Sequence, residues 1–444
     1  MDTDRPRALA ALITNCVLAF TGVTFGYWLC YERPVAYVAF VSEDCWVEFA
    51  TFVGFLLASV AIFVLAARDR SYRRLGWLGL AAGALVVAGE EISWGQRMFG
   101  VASPEVFQAH NNQSELNLHN FVGPRHYSAF IGPAILFFAV ILPFVPRASR
   151  RLARLYERFG VPAVPGRAQP LFLLAALILY SSVVLVLPET MEFMELFLGT
   201  ALAVMSVDLL VRSWGGKRAG RTAVTLAALS TVAVIWIMTA PLVHWLGRPS
   251  HRNALNKYAA SRFPAEGMWR QSEEVFRYLR SHPEVQQDDT VLNQAIVYRR
   301  TGREAEADQI LRNALADERE RQRNEPGDPA PWRAAGRILR LLGEAGSAQE
   351  ALETAVAIDA KRLESSTGGS QEWNVHWSLA KTLHAMGDHD GAVEEVVKAK
   401  DLAPDAPTRE EINHWFAWEE RRPSLVEGGA TDDGISGPVA VLAR

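Results

Sequence analysis

Residues 45–67 read CWVEFATFVGFLLASVAIFVLAA, and Glu48 is the only charged residue among them. A helix crosses the hydrocarbon core of a membrane when about 20 consecutive residues are predominantly apolar, so this stretch predicts a transmembrane helix. Six further apolar stretches precede residue 247, at 8–30, 75–91, 127–145, 171–187, 191–211 and 223–246. Residues 1–247 are therefore expected to form an all-α, polytopic membrane bundle of about seven transmembrane helices.

Basic residues mark the loops that stay in the cytoplasm, because lysine and arginine are translocated with difficulty. The loops after the second, fourth and sixth predicted helices are rich in arginine and lysine, whereas the alternate loops are poor in them. This alternation predicts a multi-pass protein of the cell membrane with a cytoplasmic N-terminus. After seven crossings, the C-terminal domain is expected on the extracytoplasmic side.

Two cysteines, Cys30 and Cys45, bracket the first predicted outer loop. If this loop faces an oxidising compartment, the pair could form a disulfide. Two unpaired thiols at the membrane interface are an equally good interpretation of the same spacing. The sequence leaves both alternatives open.

A helical repeat is indicated over residues 288–406. The turn glycines Gly302, Gly343 and Gly387 each precede a small residue by five positions, namely Ala307, Ala348 and Ala392. Small residues where paired helices touch, with a glycine in the turn between them, resemble the pattern of the tetratricopeptide-repeat superfamily. The copies are 41 and 44 residues apart, longer than the ~34 residues of that family, so insertions between repeats are expected.

The resemblance implies a soluble domain of helical hairpins that binds a protein or peptide partner. Residues 248–287 are expected to form a linker and a capping helix, and residues 407–444 a terminal helix followed by a disordered tail. The formal net charge of −4 gives no reason to expect nucleic acid binding.

Carboxylates are more numerous in the membrane half than helix packing requires. Glu48, Glu90 and Glu195 lie roughly 24–30 Å from the cytoplasmic arginines of their helices, at ~1.5 Å per helical residue. The hydrocarbon core is ~30 Å thick, so all three belong to one layer at its outer boundary. Such carboxylates would repel one another unless they were protonated or paired with cations.

A polar segment between the third and fourth predicted helices supplies candidate partners for these carboxylates. Histidine together with carboxylate suits Zn²⁺ or a similar divalent ion, and a bound metal could activate a water molecule. The predicted metal ligands are His119, His126 and Glu90. The predicted catalytic carboxylates are Glu48, Glu90, Glu91 and Glu192, with a supporting polar cluster of Gln96, Glu115, Asn117, Asn120 and Glu195.

Two resemblances concern the membrane half. Several helices with histidine and carboxylate residues at one face loosely resemble the alkaline ceramidase-like membrane hydrolases, which hold zinc with histidines and an aspartate. The motifs of that family are not found in this sequence. The segments GEEISWGQ (residues 89–96) and NLHN (residues 117–120) are similar to those of a bacterial polytopic membrane family for which no activity is known.

Three hypotheses for the function follow from these observations. The chain could be a non-enzymatic assembly or tethering protein of the cell envelope, with a partner on its helical repeats. It could be a membrane-embedded, metal-dependent hydrolase or transferase that acts on a membrane lipid at the outer leaflet. It could also be an ion-coupled transporter, although its carboxylates lie at one face and not at the midplane, where transporter sites usually lie.

Overall fold

The computed structural model is entirely helical in the part of the chain that it describes, with no strand there. The described residues are 5–42, 45–99, 101, 103–104, 107, 116–117, 133, 137, 141, 149–159, 172–173, 175, 187–188, 190–215, 221–246, 251–282, 289–365, 372–404, 408–409 and 412. Two compact units divide the chain: the N-terminal unit, Met1–Thr290, and the C-terminal unit, Val291–Arg444.

The N-terminal unit contains ten labelled helices in its described residues. They are α1 (Arg5–Glu32), α2 (Pro34–Val41), α3 (Trp46–Arg68), α4 (Arg73–Glu91), α5 (Gln96–Phe99), α6 (Arg150–Phe159), α7 (Thr190–Gly215), α8 (Arg221–Leu246), α9 (His251–Lys257) and α10 (Trp269–Ser281). A π-helical segment, Tyr258–Arg262, follows α9 directly.

Four helices of this unit are long and apolar enough to cross a membrane by length and composition: α1, α3, α7 and α8. Their outward surfaces are apolar, with Phe20 of α1 74% exposed and Ile237 of α8 68% exposed. This confirms a helical chain whose N-terminal part contains helices long and apolar enough to span a membrane. Of the other predicted stretches, 75–91 forms most of α4, while 127–145 and 171–187 lie largely outside the described residues.

Helix α3 is at the centre of the N-terminal unit and packs against α4, α7 and α8. Its closest approach to α7 occurs where two glycines face each other's helix. A Cβ atom added to Gly54 would lie 3.0 Å from the carbonyl carbon of Gly199, and one added to Gly199 would lie 3.2 Å from the Thr51 carbonyl oxygen. The two backbones are therefore nearly in contact, as small residues permit in membrane helix pairs. On the α4 side, Ser59 Oγ donates a hydrogen bond of 2.8 Å to the Ala81 carbonyl.

Helices α9 and α10 pack against the short helix α2, at the end of α1. Tyr37 of α2 is fully buried, and its hydroxyl donates a 2.5 Å hydrogen bond to the Pro188 carbonyl. Arg270 of α10 forms an ion pair with Glu32, at 3.6 Å. The predicted capping helix thus belongs to the N-terminal unit.

Cys30 and Cys45 are both buried, and no disulfide joins them. The Sγ atom of Cys30 lies 3.8 Å from Met268 Sδ, in the turn before α10. The structure therefore favours the second of the two sequence interpretations, in which the two thiols do not form a disulfide.

The C-terminal unit consists of three consecutive helix pairs. They are α11 (Thr290–Arg300) with α12 (Glu304–Asn324), α13 (Pro329–Leu341) with α14 (Ala345–Ser365), and α15 (Glu372–Met386) with α16 (His389–Leu402). Within each pair the turn is only a few residues long, so the helices run antiparallel. The turn glycines Gly302, Gly343 and Gly387 all have positive φ, between 75° and 89°, which other residues adopt at a cost.

Successive helix pairs stack on one another. Helix α12 packs on α13, α14 packs on α15, and the first helices α13 and α15 also touch. The alanines that follow the turn glycines, Ala307, Ala348 and Ala392, are buried at the helix contacts. The pattern of small residues thus fixes where the helices of each pair meet.

Candidate functional site

The end of α4 is a tight reversal of the chain. Ser93, Trp94 and Gly95 have φ values of 46°, 54° and 74°, so three successive residues adopt the left-handed conformation. For residues other than glycine this conformation costs about 1–3 kcal/mol each, and it persists only where the surroundings enforce it. Strained backbone of this kind is concentrated at functional sites, which makes the reversal a candidate.

Buried polar side chains hold this reversal against the segment that follows. Gln96 Nε2 donates a 2.6 Å hydrogen bond to Ser103 Oγ, while Gln96 Oε1 accepts one of 2.6 Å from the Leu116 backbone N–H. Asn117 Nδ2 donates to Ser93 Oγ at 3.2 Å. Gln96 and Asn117, both predicted members of the polar cluster, therefore connect the end of α4 with Ser103 and with residues 116–117.

Trp94 folds back onto the last turns of α4. A Cβ atom at Gly89 would lie 2.8 Å from the indole ring, so only glycine leaves room for it. The indole Nε1–H donates a 2.7 Å hydrogen bond to Glu90 Oε1. Trp94 thus determines the orientation of the Glu90 carboxylate, a role that its sequence position near the membrane boundary does not indicate.

Five carboxylates from three helices meet at this end of the N-terminal unit. Glu91 is only 9% exposed, and it interacts electrostatically with the carboxylates of Glu48 in α3, Glu90 in α4, and Glu192 and Glu195 in α7. The structure therefore brings together the three helices whose carboxylates were predicted to share one layer. Glu48, Glu192 and Glu195 are half-buried.

The metal hypothesis concerns residues that are only partly described. His119 and His126, the predicted histidine ligands, lie outside the described residues, as do Glu115 and Asn120. Among the residues that the structure does describe, no group of three or more histidine, cysteine, aspartate or glutamate side chains could hold a metal ion. The carboxylates around Glu91 therefore do not by themselves form a metal site.

A second buried polar group lies in the C-terminal unit. Asp359 of α14 is fully buried, and Arg362 Nη1 lies 3.9 Å from its Oδ1. Burial raises the pKa of the Asp359 carboxyl to about 6, and Ser378 with the charges of Arg333 and Arg362 only partly offsets this. Arg333 of α13 donates hydrogen bonds to the Ser378 carbonyl at 3.2 Å and to Ser378 Oγ at 3.0 Å.

Stability of the C-terminal unit is expected to fall as the pH rises, because Asp359 has a higher pKa in the folded than in the unfolded chain. The destabilising charge of Asp359 is absent below the pKa that this carboxyl has in the unfolded chain. The charge is fully present above about pH 6. Between pH 5 and pH 8 this group should remove on the order of 1 kcal/mol of stability. Asp359→Asn should abolish that dependence, as measured by hydrogen exchange of the α14 and α15 amides in the full-length protein.

The exposed Asp317 of α12 provides the matched control, because Asp317→Asn removes a carboxylate that is not buried. This variant should retain the pH dependence of the wild type. An equal dependence in Asp359→Asn and wild type would contradict the role of Asp359.

Charge is distributed unevenly between the two kinds of helix in the C-terminal unit. The first helices α11 and α13 have basic but no acidic residues, whereas α15 has one of each, Glu372 and Lys381. The second helices α12, α14 and α16 each contain more acidic than basic residues. The basic residues of the first helices are Arg299, Arg300, Arg333, Arg337, Arg340 and Lys381.

Comparisons with protein-family models, with curated proteins and with solved structures found no match for this chain.

Proposed function

We propose that this chain is a membrane-anchored tethering or assembly protein of the cell envelope whose C-terminal unit binds a protein or peptide partner. The observation that carries the proposal is the stack of three antiparallel helix pairs, in which the first helices α13 and α15 lie side by side. Stacked pairs of this kind present an extended surface formed by equivalent helices, and tetratricopeptide-like arrays bind partners on such a surface.

The partner is expected to be acidic along the segment that docks. Five arginines and one lysine lie on the first helices, and part of this charge is already used within the unit, since Arg299 pairs with Asp308 at 2.8 Å. Arg340 and Lys381 are on different first helices and are half-buried. Complementary charge of this type raises association rates and selects against basic partners.

The second part of the proposal is the orientation of the chain in the membrane. Seven membrane crossings with a cytoplasmic N-terminus would place the C-terminal unit outside the cytoplasm, where it could recruit an envelope component. Single cysteines introduced near Arg70 and near Ser365 should react with a membrane-impermeant thiol reagent from opposite sides of the membrane. Reaction from the same side would contradict this orientation.

Reversing charge on the first helices should weaken partner binding at least about tenfold, since like charges brought together at an interface cost several kcal/mol. The variant is Arg340→Glu with Lys381→Glu. Binding is measured as partner crosslinked to the full-length protein in cells and identified by mass spectrometry. Deletion of residues 288–406 should abolish the same crosslink.

The control variant, Arg312→Glu with Lys361→Glu, makes the same two charge changes at exposed positions on second helices. Its crosslink should match that of the wild type. If both variants lost the crosslink equally, net charge alone would explain the effect, and the first helices would not be the binding surface.

A second candidate function is a hydrolase or transferase acting on a lipid at the membrane boundary, with the carboxylates around Glu91 as its acid–base groups. It is favoured by the burial of Glu91 beside a strained reversal of the chain. In this case detergent-purified protein should contain a near-stoichiometric divalent metal that is lost in His119→Ala and retained in the control His389→Ala. If well-folded wild-type protein contained no metal, the hydrolase or transferase hypothesis would lose its predicted cofactor.

A further inference from the structure

Helix α6 separates its charged and apolar residues sharply. Its sequence is RRLARLYERF, and successive residues of a helix are turned by roughly 100°. Leu152 and Leu155 therefore fall on one stripe, and the helix repeat puts Tyr156 and Phe159 on that stripe too. The charged residues occupy the opposite side of the helix, namely the four arginines at positions 150, 151, 154 and 158 together with Glu157.

The apolar stripe is open in the described structure. Leu152 is 39% exposed and Leu155 is 45% exposed, although α6 packs against α4. All four arginines are exposed as well. An amphipathic helix with an uncovered leucine stripe and a basic opposite side fits the boundary between water and lipid, where both surfaces are satisfied at once.

The position of α6 in the chain restricts what can cover it. The predicted membrane segment 127–145 ends five residues before Arg150, and five residues span at most ~18 Å. Helix α6 is thus held near the membrane surface by the preceding segment and by its contact with α4. A lipid surface is always within reach of this helix, whereas a protein partner would have to be recruited to it.

We infer that α6 lies in the plane of the membrane interface, with its leucine stripe in the acyl region and its arginines on the headgroups of anionic phospholipids. This inference concerns a different surface from the partner-binding helices and does not depend on that proposal. Each arginine close to an anionic surface favours anionic over zwitterionic lipid by roughly fivefold. Anionic lipid should therefore be enriched around α6.

Quenching by brominated lipids tests both parts of the inference. Full-length protein with Cys16→Ala and Leu155→Cys is labelled with a bimane fluorophore, since Cys30 and Cys45 are buried. It is reconstituted in nanodiscs of fixed composition in which either the phosphatidylglycerol or an equal amount of phosphatidylcholine has brominated acyl chains. The label should be quenched in both discs, with a local enrichment of the anionic lipid of roughly fivefold or more.

Two variants provide the controls. The same label at Arg154→Cys, on the basic side, should be quenched far less than at position 155. Replacing Arg150, Arg154 and Arg158 by glutamine should leave the label at 155 quenched but remove the preference for phosphatidylglycerol.

Three results would overturn the inference. Equal quenching by both lipids in the wild type would remove the anionic preference. An unquenched label with red-shifted emission would show that the leucine stripe is exposed to water. An unquenched label with blue-shifted emission would indicate that protein, such as a second copy of the chain, covers α6.

Discussion

Gly54→Val is expected to destabilise the N-terminal unit by forcing α3 and α7 apart. The first added carbon would lie 3.0 Å from the carbonyl carbon of Gly199 and 3.3 Å from the backbone nitrogen of Thr200. Neither atom can move unless the whole of α7 moves, so α3 and α7 must separate. Overpacking of a close contact costs about 1–3 kcal/mol, and more where backbone is displaced. The thermal stability of the detergent-purified protein measures the loss.

Separation of α3 from α7 would also disperse the carboxylates, because Glu48 lies on α3 and Glu192 and Glu195 lie on α7. The matched control is Gly83→Val in α4, where an added Cβ meets nothing within 4 Å. This variant should have the same melting temperature as the wild type. If Gly54→Val also had the melting temperature of the wild type, the two backbones would not be in close contact.

Gly336→Val is expected to unfold the middle helix pair of the C-terminal unit. An added Cβ would lie 2.6 Å from Leu352 Cγ and 3.1 Å from the Ala348 carbonyl oxygen. Leu352 is fully buried, so it cannot move aside without displacing its neighbours. The expected loss is at least about 3 kcal/mol, at the upper end of what overpacking costs. Hydrogen exchange of the α13 and α14 amides in the full-length protein measures it.

Two comparisons make this result specific. Leu352→Ala in the Gly336→Val background should recover part of the loss, because it removes the atoms that clash. Gly346→Ala in α14 adds a methyl group in open space and should stabilise the helix by up to about 1 kcal/mol. If Gly336→Val and Gly346→Ala gave the same exchange rates, α13 and α14 would not meet at Gly336.

The helical architecture was readable from the sequence because its signals are local. An apolar run as long as residues 45–67 has one low-energy arrangement in a membrane, and α3 matches it closely. The turn glycines Gly302, Gly343 and Gly387 are equally local, since each one both ends a helix and adopts positive φ. Helix α6 was missed for the opposite reason: its arginines were interpreted only as markers of a cytoplasmic loop.

The candidate site was readable only in part. Counting residues from the cytoplasmic arginines was enough to put Glu48, Glu90 and Glu195 in one layer, because helical rise is constant. The left-handed conformation of Ser93 and Trp94 was not predictable, since neither residue type favours it. It depends on contacts such as that of the indole with Gly89 and Glu90, which exist only after the chain has folded.

The glycine contact between α3 and α7 has a consequence for how the protein is made. Helices α3 and α4 precede α7 in the chain, so Glu48, Glu90 and Glu91 are synthesised before Glu192 and Glu195. Until α7 has been made, α3 lacks its close contact at Gly54. The acidic layer is therefore completed only once the chain extends through α7, although α1 to α4 are already present. A chain that stopped before α7 would carry three of the five carboxylates without the helix that supplies the other two.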